Sequence, residues 1–398
     1  MEEIYQPGMN EKIKVAMVEP VGGHRGNDFY DFGLCKAVND LGTDITLYTC
    51  DETNLHLKHK FNFDVQLTYK KIYGNEWAYF RGIRYLIGAF STIKKAVNSK
   101  ANVVHFHIYH FANREFINFF LFKRKGFKIV ATIHDVEDFV KYGKKINRKK
   151  YGRFQKRIDQ VIVHSSFAKE QVLHYFEGFN EKNVHIVPHG DSDFLYNKPI
   201  HKFDARNNLN LPANQDLILF FGQIKKVKGL DVLLHAFVKV RNQRKNTKLL
   251  IVGSPWKVEW DQFETIIREN KLEDDCILKL DYVANEIVPQ YYAASDLVIL
   301  PYRKIYSSGV MIRSLDYEAA IIASDLDTFR KIINDGENGV LFESENAEDL
   351  AKKILELIDN KEKIAKLKVE AKKTAQSKFS WELIGKKVND IYRLAYES

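Results

Sequence analysis

Short apolar runs alternate with longer amphipathic stretches along almost the whole chain. In the first half, Ile13–Glu19 (IKVAMVE), Asp44–Thr49, Val103–His107, Lys128–His134, Gln160–His164 and Val184–Pro188 are apolar, mostly β-branched runs of strand length. Helical stretches lie between them, the first from Asp28 to Leu41 with Gly42 as its stop signal. Strands apolar on both faces and separated by helices imply a parallel sheet covered on both sides. The pattern restarts at Asp216–Phe221 (DLILFF), with a helix from Gly229 to about Arg244 and strands at Lys248–Val252, Cys276–Leu280, Asp296–Leu300 and Ile321–Ser324. Between the two series, Tyr196–Ala213 carries Pro199, Pro212 and several Asn, and reads as a linker. These patterns predict an α/β protein of two doubly wound domains facing a central cleft, over residues 1–195 and 196–376. A C-terminal helix, 377–398, is a candidate to pack back on the first domain.

Composition narrows the class. The 398 residues are 45% hydrophobic and 28% charged, enough for two ordinary cores and unlike a disordered chain. Cys35, Cys50 and Cys276 are far apart and form neither a disulfide framework nor a thiolate metal pattern. The first ten residues are polar, and Ile13–Val18 is too short for a secretory leader. No apolar run approaches the ~20 residues of a membrane-spanning helix, so a cytoplasmic protein is expected. The net charge of +9 is uneven: residues 1–200 hold 30 Lys+Arg against 22 Asp+Glu. Lys141–Arg157 alone has nine basic residues and no acidic one. Such a stretch suits an anionic lipid surface, an acidic substrate or nucleic acid, and equally a solvated face.

In open α/β sheets, ligands bind beyond the carboxyl ends of strands, so the residues just after each strand carry the chemistry. Phe220–Phe237 (FFGQIKKVKGLDVLLHAF) places Lys225, Lys226 and Lys228 between a strand and a helix N-terminus, where a diphosphate meets point charges and backbone donors. Leu300–Tyr317 (LPYRKIYSSGVMIRSLDY) puts Ser307 or Ser308 at the cap of another helix, with Gly309 after it. Taken singly, the first is a basic loop and the second an N-cap; the pairing points to a phosphate. His105, His107, His134, His164, His185 and His189 fall at strand ends without metal-ligand spacing on a helix, and no carboxylate cluster is apparent. Neither a metal nor a cofactor is expected.

The chain resembles the retaining glycosyltransferases of family 4, which have the GT-B fold of two Rossmann-like domains. The resemblance rests on Gly222, Lys228-Gly229 and Leu230–Phe237, on Pro301, Tyr302, Ser308, Gly309 and Ile321–Ser324, and on Phe329–Phe342 (FRKIINDGENGVLF) and Asp349–Ile354. In the first half Pro20–Gly26, Lys128–Asp135 (KIVATIHD), Val161–Ser166 and Val187–Gly190 match in order. The resemblance implies transfer of a sugar from a nucleotide diphosphate sugar to a glycan or lipid-linked acceptor, with retention and without a metal. It implies catalytic roles for His134 and Lys228. Donor contacts would come from Gly22, Gly23, Lys225, Lys228, Ser307, Ser308 and Gly309, with Tyr282 and Val283 at the base. A pair of glutamates common in the family is absent, its places falling near Ile305 and Arg313, with Glu318 the nearest substitute. Two alternatives stay open: a GT-B nucleotide-sugar epimerase, and a non-catalytic subunit that binds nucleotide sugar.

Tyr79–Val97 and Arg114–Lys128 mix rings with basic residues. Both are candidates for peripheral association with the anionic inner face of a membrane, or for packing on the sheet. No nucleic-acid partner is expected.

Overall fold

The computed structural model describes residues 12–23, 28–109, 111, 113–134, 136, 148–176, 178–190, 200–305 and 308–398. The chain forms two compact units, residues 1–190 with 381–398, and residues 191–380.

The first unit is built on seven parallel strands: β1 (Lys14–Glu19), β2 (Asp44–Cys50), β3 (Asp64–Tyr69), β4 (Val103–Ile108), β5 (Lys128–Ile133), β6 (Gln160–Val163) and β7 (Val184–Ile186). Their order is β3-β2-β1-β4-β5-β6-β7, so the direction of winding switches between β1 and β4. β3 escaped the sequence pattern because it is an edge strand. Its sequence DVQLTY mixes polar and apolar positions, and only Val65 and Tyr69 are buried. The helix Ala78–Asn98 covers it with Tyr85, Ala89, Thr92 and Ala96, spaced along one helical face. Gly88 permits that approach, since a Cβ there would sit 2.7 Å from the Tyr69 ring. The helix Trp381–Glu397 completes this unit by packing on the helix Asp28–Asp40. Gly385 lies against the Ala37 backbone, where a Cβ would come within 2.9 Å, and Gly190 lies under the Trp381 ring.

The second unit has six parallel strands: β8 (Asp216–Phe221), β9 (Thr247–Val252), β10 (Cys276–Lys279), β11 (Leu297–Leu300), β12 (Ile321–Ser324) and β13 (Val340–Phe342), in the order β10-β9-β8-β11-β12-β13. Alternate residues of β8 feed two cores. Ile218 and Phe220 pack with the helices Leu230–Gln243 and Ala347–Ile358. Leu217, Leu219 and Phe221 pack with Val288–Ala294, Gly309–Asp316 and Lys361–Phe379. That two-sided burial is why the strand reads as continuously apolar.

The stretch expected to be a plain linker contains a helix, Lys202–Asn208. Buried Arg206 ties it down, bonding Asp296 at 3.0 Å and the carbonyls of Ala294, Pro212 and Ala213 at 2.9, 3.1 and 2.6 Å. Residues 196–199 of that stretch lie outside the described residues.

Candidate functional site

The second unit gathers its chemistry at the carboxyl ends of β8 and β11. After β8 the chain turns at Gly222 (φ 99°), beside Gly253 (φ 135°) after β9. A Cβ on Gly253 would stand 2.2 Å from the Gly222 carbonyl, so only glycine fits. The loop then pairs with 254–256 through Ile224 N–H to Ser254 O and Trp256 N–H to Ile224 O, both 2.9 Å. Lys226–Lys228 makes one tight turn, and Gly229 (φ 65°) starts the helix Leu230–Gln243.

Sequence reasoning missed the residue that holds this turn. Arg303 donates to the Lys226 carbonyl at 2.9 Å, to both Asp231 oxygens at 2.8 and 2.7 Å, and to Glu345 at 2.8 Å. Its own amide N–H donates to the Val227 carbonyl at 2.8 Å. Burial would raise the Asp231 carboxyl, but the Arg303 guanidinium outweighs it and holds the group below the usual carboxylate range. The signal was present as an Arg two residues after the strand-end Pro301, but its partners lie 72 and 42 positions away.

Lys228 is therefore fixed in place. Its Nζ lies 5.1 Å from the centre of the Tyr302 ring, and a Cβ on Gly222 would be 3.0 Å from that amine and 3.1 Å from Val310. The amine thus stands by the first turn of the helix Gly309–Asp316 as well as the start of its own. Burial pulls it down to about 8. Among the described residues no carboxylate pairs with it. Ser308 caps the helix Gly309–Asp316, its Oγ accepting from Met311 N–H at 3.1 Å, which leaves the hydroxyl proton to donate. Gly309 faces open space, with nothing within 4 Å of an added Cβ. Lys225 sits 4.5 Å over Trp256, whose ring Lys257 also approaches at 4.4 Å. Tyr282 is exposed and Val283 half-buried, just beyond edge strand β10. Glu318 lies past the far end of the helix Gly309–Asp316 from Ser308, exposed and at φ 54°. Ser307 lies outside the described residues.

The first unit gathers histidines. The Tyr30 ring is surrounded by His107, His134, His164 and His189, at 5.2, 5.4, 5.6 and 4.4 Å between centroids. Hydrogen bonding fixes one tautomer chain. His164 Nδ1–H donates to the Val187 carbonyl at 2.9 Å, so its Nε2 accepts from His134 Nδ1–H at 3.2 Å. His134 Nε2 is then a buried lone pair with no hydrogen-bond partner. Its ring stacks on Tyr109 at 4.3 Å and 7°. Burial lowers His105 to about 3, His164 to about 4, and His107 and His134 well below the usual value, so all four are neutral near pH 7.

Gly22 (φ 47°) and Gly23 begin the loop after β1, and their local reason is steric. A Cβ on Gly22 would lie 2.3 Å from Thr49 Oγ1, and one on Gly23 would lie 2.1 Å from the Glu52 carbonyl. Gly26 and Asp135 lie outside the described residues. The expectation that no carboxylates cluster here is corrected. Glu19, Asp31 and His107 offer ligand atoms all within 4.8 Å of one another. They come from β1, the helix Asp28–Asp40 and β4, so no sequence spacing could show it.

Two family models divide the chain. Glycosyltransferase Family 4 matches residues 32–191, and Glycosyl transferases group 1 matches residues 201–374. The chain is of glycosyltransferase group 1/family 4 type. An uncharacterized glycosyltransferase of Methanocaldococcus jannaschii is 26% identical over 79% of this chain and 81% of its own length. The lipopolysaccharide 1,2-N-acetylglucosaminetransferase of Salmonella typhimurium is 27% identical, over 58% of this chain and 61% of that relative, less than two thirds of it. HepE of Anabaena, solved in complex with UDP-glucose, superposes with a TM-score of 0.73 over 95% of this chain and 98% of that one, at 16% identity. With two parallel-sheet Rossmann-like units, these neighbours make the fold GT-B.

This glycosyltransferase-type chain carries one further surface feature. The helix Ala78–Asn98 has a second apolar stripe opposite its buried face. Phe80, Ile83, Ile87, Phe90 and Val97 are exposed along it, preceded by exposed Trp77 and Tyr79, with Trp77 79% and Ile87 64% accessible. Arg81, Arg84 and Lys95 fall along one side of the stripe and Lys94 falls within it. In the other candidate segment, 114–128, the rings of Phe119, Phe122 and Phe127 are buried, and exposed Phe120 has the Arg157 guanidinium 5.5 Å from its centre. In the basic stretch Lys141–Arg157, residues 141–147 lie outside the described residues. No helix among the described residues is long and apolar enough to cross a membrane.

Proposed function

We propose that the chain transfers a glycosyl group, with retention, from a nucleoside diphosphate sugar to a glycan or lipid-linked acceptor, without a metal in the transfer step. The Lys228 amine carries this reading. It is partly buried, held in place and without a carboxylate partner among the described residues, beside the amino end of the helix Gly309–Asp316. Such a site favours an anion and rewards a leaving group whose charge grows in the transition state. Ser308 adds a hydroxyl donor and Lys225 a second cation; Gly309 leaves room for a phosphate, and Tyr282 and Val283 are placed for the base. In the first unit, His134 offers an Nε2 lone pair to a sugar hydroxyl, and Gly22 and Gly23 keep the loop after β1 thin.

In the reaction, the bond between the anomeric carbon and the diphosphate oxygen breaks. The acceptor oxygen bonds that carbon from the same face, and its proton passes to the departing phosphate. Lys228 holds the charge throughout, and the histidines remain neutral. HepE of Anabaena binds UDP-glucose, which makes UDP-sugars the first donors to try.

The test is a thermal-shift screen of nucleotide sugars, followed by acceptor-dependent release of nucleoside diphosphate and NMR of the product's anomeric configuration. Release without acceptor would replace this reading with an epimerase, and binding without turnover would replace it with a non-catalytic subunit. The proposal extends to location. The stripe Phe80–Val97, with Lys94 within it and Arg84 and Lys95 along one side, suits the headgroup layer of an anionic membrane. Sedimentation with phosphatidylglycerol vesicles should fall at least about fivefold in a Phe80→Ser, Ile87→Ser, Phe90→Ser variant. Equal sedimentation of the variant and the parent would remove the membrane from the proposal.

A further inference from the structure

We propose that Glu19, Asp31 and His107 form a binding site for a divalent transition ion of the zinc class inside the first unit. The inference is independent of the sugar-transfer reading. His107 Nδ1 lies 3.3 Å from Glu19 Oε2 and 3.2 Å from Asp31 Oδ1, and all three side chains are fully buried. Tetrahedral ligands about 2.0–2.1 Å from an ion stand roughly 3.3 Å from one another. Both separations are already of that size.

Hydrogen bonding does not account for Asp31 and His107. Both Asp31 oxygens and both His107 nitrogens lack a partner of acceptable geometry. Among the described residues no Lys or Arg pairs with Asp31. A buried carboxylate without cation or donor is costly to keep. A divalent ion would offset the Asp31 charge, and the mixed nitrogen and oxygen set suits zinc better than calcium or magnesium. The ligands are prearranged. Glu19 Oε1 accepts from Val21 N–H at 2.7 Å, which turns Oε2 toward His107. Asp31 is fixed in the first turn of the helix Asp28–Asp40, and His107 stands on β4, which pairs with β1 at the switch in winding. The ion would join the ends of β1 and β4 to that helix, with the His134 ring 5.0 Å from that of His107. Three protein ligands leave a fourth position for water.

The experiment uses the full, untagged chain. After EDTA treatment and desalting it is mixed with one equivalent of Zn²⁺, passed through a desalting column and assayed by plasma mass spectrometry. About one zinc per chain should remain, and Zn²⁺ should raise the Tm by at least about 5 °C. Asp31→Asn should abolish both effects, while its metal-free Tm equals or exceeds that of the metal-free parent, because a buried charge has gone. Glu19→Gln repeats the test if Asp31→Asn fails to fold. A parent that retains less than about a tenth of an equivalent with no thermal shift overturns the proposal; protons then hold the carboxyls. Equal zinc retention by the variants overturns it as well.

Discussion

The ends of β1 and β8 occupy the same place in two sheets of like winding, yet they are built from opposite materials. After β8, eight consecutive residues supply glycines for a tight backbone and a cation that no carboxylate among the described residues neutralises. After β1, imidazoles from β4 and from just after β5, β6 and β7 converge on Tyr30, and burial keeps His107, His134 and His164 neutral. One end works by fixed charge and stays local in the chain. The other works by lone pairs and tautomers and exists only when distant strands meet. Each should therefore respond to a different perturbation.

Removing the charge should have the largest effect. Lys228→Ala is expected to cut acceptor-dependent release of nucleoside diphosphate by roughly 10²-fold or more, as for loss of one preorganised donor. A rate within threefold of the parent would dissolve the contrast. Titration sharpens it. With Lys228 near 8, diphosphate affinity measured by calorimetry should be about tenfold weaker at pH 9 than at pH 7. The free protein should move the opposite way. The folded chain binds fewer protons there than the unfolded one, so this lysine adds stability as pH rises from about 8 toward the ordinary lysine value of 10.5. The imidazole end should show neither trend over that range. His134→Ala should lower turnover about fivefold, the loss of one neutral hydrogen bond, with nucleoside diphosphate affinity unchanged in calorimetry. Smallest of all, Gly309→Ala should change the Tm by less than about 1 °C, because the added methyl meets open space. Its effect on diphosphate affinity then reports directly whether a phosphate fills that space.

The same contrast explains what could be read in advance. The parallel sheets were legible because their central strands are buried on both faces and so form unbroken apolar runs. β3 and β13 were not: the one is a half-exposed edge, and the other spans only Val340–Phe342. Lys228 was legible because a strand, a glycine and a helix start bracket it within eight residues. Arg303 was hidden, since its effect on the Lys226–Lys228 turn depends on Asp231 and Glu345, remote in sequence. The Glu19–Asp31–His107 cluster was hidden for the same reason, each member being an ordinary residue on its own element.

The return of Trp381–Glu397 to the first unit has a consequence for biosynthesis. The helix Asp28–Asp40 emerges from the ribosome early but meets its packing partner only after all of residues 191–380 have been made. The second unit can therefore mature while the first still lacks a wall of its core. A nonsense mutation near codon 381 would spare the unit just completed and cripple the one begun hundreds of codons before, so quality control should detect that lesion at the amino-terminal half.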